Sequence, residues 1–110
     1  MEMIKAIDAL SALAQPTRLA AFRLLVRAGE SGLAAGEIAD ALNVRQNTMS
    51  TNLSILVVAG LASNSRDGRI IRYHVNLDGT RRLLDFLLQD CCGGRPELCQ
   101  PLMDQIACHC

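Results

Sequence analysis

Tryptophan is absent and aromatic side chains make up only 3% of the 110 residues, so the core has to be packed from leucine, isoleucine, valine and alanine, as in stacked helices. An excess of charge is missing too: eleven Lys and Arg balance eleven Asp and Glu. A protein that coats nucleic acid without reading it must neutralise many phosphates, and a net charge of zero argues against that class. No apolar run approaches the roughly 20 residues that span a bilayer. The amino terminus lacks a basic start, an apolar core and a cleavage site, so the expectation is a cytoplasmic protein with no membrane partner. Finally, no cysteine precedes Cys91.

What is present starts with those cysteines. All five, Cys91, Cys92, Cys99, Cys108 and Cys110, fall in the last twenty residues. An odd number cannot all pair within the chain, and a reducing compartment keeps thiols free, so metal binding or redox chemistry outranks a disulfide framework. At 110 residues, 50% of them apolar, the chain can bury one compact core. Its charge is segregated. From Asn43 to Leu77, Arg45, Arg66, Arg69 and Arg72 face Asp67 alone, whereas from Asp85 to Cys110, Arg95 faces Asp85, Asp90, Glu97 and Asp104. The first segment suits DNA and the second would be repelled by it.

Met3, Ile4, Ile7, Leu10 and Leu13 recur at helical spacing. A second helix starts at Pro16, whose missing N–H costs nothing in a first turn, and ends at Gly29, with Leu19, Phe22, Leu25 and Val26 as its buried stripe. The stretch 32–36 is a connector to a short helix, 37–42, that points Ile38, Ala39 and Leu42 inward. From Gln46 to about Ala59, Met49, Leu53, Leu56 and Val57 form an apolar helix face opposite Gln46, Asn47, Ser50, Thr51 and Ser54. Residues 61–65 and 69–75 flank Asp67-Gly68 as a hairpin, in which His74 reads as a strand residue. A last long helix from Asp78 to about Asp90 is broken by Gly93-Gly94, and Pro96 opens a short helix reaching Ile106.

Two short helices joined by a tight turn, the second polar outside and apolar within, form a helix-turn-helix whose second helix fits a major groove. Arg66 and Arg69 flank a glycine tip that can follow the backbone or enter the adjacent minor groove. The chain resembles the ArsR/SmtB family of winged-helix, metal-responsive repressors in three places. They are residues 12–19 (Ala-Leu-Ala-Gln-Pro-Thr-Arg-Leu), residues 42–61 with Gln46, Ser50, Leu53, Leu56 and Ala59-Gly60-Leu61, and Arg66-Asp67-Gly68-Arg69 followed by Tyr73. The resemblance runs from Leu10 to Cys92. It implies a mainly α fold with a small β-hairpin, a winged helix-turn-helix that forms a homodimer and binds double-stranded operator DNA. It places base reading on Gln46, Asn47, Ser50 and Thr51, with Arg69 on the backbone or minor groove and Arg45 and Arg66 in the same basic surface. Thr51-Asn52 departs from the His or Arg-His of many members, so no operator sequence carries over. Independently, the first and last helices present more apolar surface than such a core needs, and pairing across a two-fold axis would bury it.

The resemblance divides the chain into a DNA-binding and dimerisation domain, 1–92, and a cysteine-containing effector tail, 93–110. The short helix before the recognition helix has no cysteine and the last long helix no histidine, which removes two sites familiar in the family. What remains is Cys91, Cys92 and, after six residues, Cys99, placed like the arsenite site of members that carry it at the end of the last helix. Thiolates select soft ions, and trivalent arsenic takes three sulfurs in a pyramid because a lone pair fills the fourth direction. As(III), with Sb(III) beside it, is the expected inducer, and no resident cofactor is implied. Zinc, cadmium, lead or bismuth, or thiol oxidation, are the alternatives, and Cys108 and Cys110 are additional ligands for a tetrahedral ion. An enzyme reading fares worse. There is no Cys-x-x-Cys, no cysteine followed five residues later by arginine, and nothing obvious to orient His109. A thiol-rich metal buffer would not need the polar helix face or the basic wing.

Overall fold

The structure, a computed structural model, describes residues 1–89 and 91–106, the side chains at 91, 92, 96, 99, 102, 103 and 106 being outside that description. Along it run α1 (Met3–Leu13), α2 (Pro16–Ala28), a 3-10 turn (Gly29–Ser31), β1 (Leu33–Ala34), α3 (Ala35–Leu42) and α4 (Gln46–Val58). There follow β2 (Ala62–Asp67), β3 (Ile70–Val75), α5 (Leu77–Leu87), α6 (Cys91–Gly94) and α7 (Pro96–Ile106).

Each boundary has a local cause. Gln15 extends before Pro16, and its side-chain oxygen accepts the Arg18 N–H at 2.7 Å, satisfying one of the donors a helix start leaves free. Asn43 ends α3 in the left-handed region, φ +55°, a conformation asparagine tolerates better than most residues. Asn76 opens α5 by accepting the Gly79 N–H at 3.0 Å. Gly93 and Gly94, at φ +67° and +81°, are the last two residues of the short α6, and Pro96 starts α7.

The three strands form one antiparallel sheet in the order β1-β3-β2. Leu33 pairs with Tyr73 and Ala34 with Arg72, so the two-residue β1 anchors the hairpin to the start of α3. Gly32, at φ +65°, makes this approach possible: a Cβ there would collide with the Tyr73 carbonyl and the His74 ring. The core holds Leu25 of α2, Ile38 of α3 and Met49, Leu53 and Leu56 of α4, all fully buried, with Leu61, Tyr73 and Leu83 around them. Each such aliphatic side chain contributes about 1.5–3 kcal/mol by leaving water, and together they fix which face of α4 looks inward.

In α1 the residues against the core are Ala6, Ala9 and Ala12, while Met3, Ile4, Ile7 and Leu10 are 43–69% exposed and only Leu13 is half-buried, the excess apolar surface expected of the first helix. Several other expectations need correction. In α2, Leu25 is buried and Phe22 packs on the core, but Ala21 completes the inner stripe while Leu19 and Val26 are 44% and 47% exposed. Helix α3 begins at Ala35, two residues early, because the Glu37 carboxylate accepts the Ala34 N–H at 2.9 Å and caps it. The stretch read as a plain connector contains β1. In the hairpin, Asp67 pairs with Ile70, so the turn residues are Gly68, at φ +67°, and Arg69, one position later than the Asp-Gly signal suggested. Helix α4 ends at Val58 and α5 starts at Leu77.

Candidate nucleic-acid interface

The recognition element is built by two turns of backbone. After α3, the Asn43 N–H reaches the Asp40 carbonyl at 3.3 Å and the Val44 N–H reaches that of Ala39 at 2.9 Å, which reverses the chain and starts α4 at Gln46. With Met49, Leu53 and Leu56 locked inside, the 3.6-residue period leaves Gln46, Asn47, Thr51 and Ser54 exposed and Ser50 half-buried on the opposite face. Arg45, in extended backbone just before the helix, is exposed as well. Two hydroxyls partly turn back on their own helix, Thr51 donating to the Asn47 carbonyl at 3.2 Å and Ser54 to that of Ser50 at 3.0 Å. Each keeps its oxygen lone pairs for an outside donor.

The wing carries Arg66 and Arg69 at its exposed end, and among the described residues neither enters an ion pair. Between wing and helix lies a groove of about 490 Å³ lined by Gln46 and Ser50 of α4, Arg69 and Ile71 of the wing, and Glu37 and Asp40 of α3. The fold thus brings Gln46, Ser50 and Arg69 to one concave surface. Thr51 stands outside it, on a second groove of about 450 Å³ between α1 and α4.

Two residues of this region face elsewhere. Arg72, counted above with the DNA-facing bases, turns inward: it donates to the Ser31 and Gly32 carbonyls at 3.2 Å and lies 3.8 Å from the Glu37 carboxylate. His74 is a strand residue, as expected, with Nδ1 donating to the Glu30 carbonyl at 3.1 Å and Nε2 accepting from the Ser65 hydroxyl at 3.3 Å. Sequence reasoning missed Arg18, whose side chain bonds Asn52 of α4 at 3.1 Å. The signals available were its place in the 12–19 stretch singled out above and in the first turn of α2.

Of the thiols, Cys91 and Cys92 occupy adjacent positions in α6 and Cys99 lies in α7, beyond the two-glycine turn. Their side chains, and Cys108 and Cys110 altogether, lie outside the described residues. Among the described residues no three His, Cys, Asp or Glu side chains come together as a metal site, and no helix is long and apolar enough to cross a membrane.

With this geometry in view, the likeness to known proteins is informative. A family model described as a helix-turn-helix domain matches residues 13–63, the span from the end of α1 into β2. A Halobacterium salinarum protein bearing the name arsenical resistance operon repressor is 36% identical over 78 residues, covering 71% of this chain and 60% of its own length. A homodimeric winged helix-turn-helix DNA-binding domain from Mycobacterium bovis, described as a possible ArsR-family transcriptional regulator, matches at 25% identity with TM-score 0.66, over 80% of this chain and 82% of that one. An ArsR-like transcriptional regulator from Rhodococcus sp. RHA1, 22% identical with TM-score 0.67, superposes over 97% of this chain and 96% of its own and supports the fold. Fold, element order and these likenesses agree: the chain has the winged helix-turn-helix fold and is similar to regulators of the ArsR family.

Proposed function

We propose that this protein is a homodimeric repressor that reads a short inverted repeat in double-stranded DNA and leaves it when trivalent arsenic, or antimony, binds Cys91, Cys92 and Cys99. The observation that carries the DNA reading is the convergence of Gln46, Ser50 and Arg69 on one groove, beside a helix whose other face is locked in the core. An α-helix of this width enters a major groove, where Gln46 and Asn47 suit adenine edges and the hydroxyls of Ser50 and Thr51 accept or donate. Arg66 and Arg69 hold the phosphate backbone or the neighbouring minor groove, and Arg45 adds charge at the start of the helix.

The dimer reading is supported by the apolar flank that the core leaves bare: Met3, Ile4, Ile7 and Leu10 of α1, with Leu84 and Leu87 of α5 at 43% and 49% exposure. The Mycobacterium bovis domain is itself homodimeric. Pairing through α1 and α5 would set two α4 helices one DNA turn apart, about 10 base pairs between half-site centres.

Arsenic is supported by the name of the Halobacterium relative and by the chemistry of the donor set. Three thiolates complete the pyramidal shell of As(III) with no fourth ligand. Side chains on adjacent helical residues point about 100° apart, so Cys91 and Cys92 share one ion only if α6 distorts. That distortion, next to the dimer helices, would alter the distance between the two α4 helices. Residues 1–92 then bind DNA and dimerise while 93–110 complete the effector site, and Cys108 and Cys110 serve only ions that want a tetrahedral set.

Selection of duplexes from a random library by the reduced protein tests the DNA reading. An inverted repeat with half-sites about 10 base pairs apart is the expected winner. Recovery of no consensus contradicts it.

A further inference from the structure

Arg18 makes more contacts than any surface arginine needs. It stands in the first turn of α2, where its backbone N–H is taken by the Gln15 side chain at 2.7 Å. Its Nε donates to the Ala12 carbonyl at 2.7 Å, and its Nη1 donates to the Asn52 side-chain oxygen at 3.1 Å. Ala12 lies in the last turn of α1, where carbonyls lack helical partners and a cation is favoured by the helix dipole. Asn52 lies on α4 next to Thr51, and its amide nitrogen donates in turn to the Thr48 carbonyl at 3.2 Å. One planar guanidinium therefore joins the end of α1 to the outer half of α4, and both ends of the Asn52 amide are used within the chain.

We infer that Arg18 and Asn52 form a latch that fixes the rotation of α4 about its own axis relative to α1, and so positions the base-reading side chains without touching DNA. The buried Met49, Leu53 and Leu56 fix which face of α4 looks inward, and the Arg18 bonds add a directional restraint from outside the core. Polar atoms on α4 sit about 5–6 Å from its axis, so a roll of about 20° moves them about 2 Å, enough to break a hydrogen bond to a base edge. Two forked bonds at opposite ends of a rigid plane resist that roll, and lysine, a point donor on a flexible stem, cannot make both. Because α1 also carries the exposed apolar flank, the latch is a rigid path from that helix to the reading face.

This inference rests on the DNA reading proposed above, and the test separates the two. A duplex selected by the wild-type protein and a scrambled duplex of equal length serve as probes, with binding measured by anisotropy for wild type, Arg18→Lys, Asn52→Ala and the double variant. Each single change should weaken the selected duplex about tenfold while leaving the scrambled duplex within twofold, since the charge is kept or was never involved. The double variant should lose no more than about tenfold, because each single change already opens the latch. Equal loss on both duplexes, no loss in the singles, or multiplied loss near a hundredfold in the double overturns the latch. A readout without DNA guards against misfolded variants: in ¹H–¹⁵N spectra the Asn52 side-chain amide, assigned by its disappearance in Asn52→Ala, should shift in Arg18→Lys. An unmoved signal means the bond does not exist, whatever the DNA data say. Failure of the wild type to select any sequence sinks the DNA reading instead, while the amide shift still reports on the bond.

Discussion

Gln46 and Ser50 of α4 and Arg69 of the wing meet on one groove, and contacts of different kinds should fail differently when removed. Ser50→Ala and Thr51→Ala should each weaken binding to the selected duplex by about 1–3 kcal/mol per lost base contact, leaving scrambled DNA unaffected, as competition anisotropy would register. Equal loss on both duplexes would remove these residues from base reading. Arg69→Ala should instead weaken binding to every sequence and flatten the dependence of log Kd on log salt by about one unit. An unchanged slope would take Arg69 off the phosphates. Most of this surface was legible from the sequence because the apolar positions of α4 fix its inner face and the outer one follows by period. Arg72 was not legible, since charge in a sequence says nothing of direction. Its register opposite Ala34 in β1, a two-residue strand too short to leave a pattern, turns it towards the Ser31 and Gly32 carbonyls.

At the scale of elements, α6 and α7 hold the proposed effector ligands on either side of two glycines in positive φ. If three sulfurs complete the arsenic shell, deletion of 107–110 should leave arsenite-driven release within about threefold, a change under roughly 0.7 kcal/mol. Zinc or cadmium binding should weaken strongly with the same deletion if the tail supplies a fourth ligand. X-ray absorption on the arsenite complex supplies the count, and a first shell that changes on truncation rejects the three-thiol assignment. Element boundaries at Pro16, Gly29 and the Gly68 turn were readable to within a residue because proline and glycine act through their own backbone. The apolar stripe of α2 misled for a physical reason: helical period announces an apolar face and leaves open what covers it, so Leu19 and Val26 are exposed. In α1 the small Ala6, Ala9 and Ala12 allow close approach to the core, and the larger Met3, Ile4, Ile7 and Leu10 are left outside.

For the whole molecule, that bare flank is where a second copy would sit. Ile7 is 52% exposed in the single chain, so Ile7→Glu should cost the protomer little, yet bury a charge in any α1–α1 interface. Sedimentation should show a dimer turned monomer, with affinity for the inverted repeat falling as two-site binding is lost. A variant that stays dimeric would move the interface elsewhere. Dimerisation, reading and release then converge on one measurement. The reduced wild-type protein, bound to its selected duplex and followed by anisotropy, is titrated with arsenite beside Cys91→Ser, Cys92→Ser and Cys99→Ser. The account predicts that arsenite releases the wild type, whereas each variant binds DNA as tightly as wild type beforehand and stays bound throughout, because a serine hydroxyl is no soft ligand. A wild type that remains on DNA in excess arsenite, or serine variants released as readily as wild type, would contradict it.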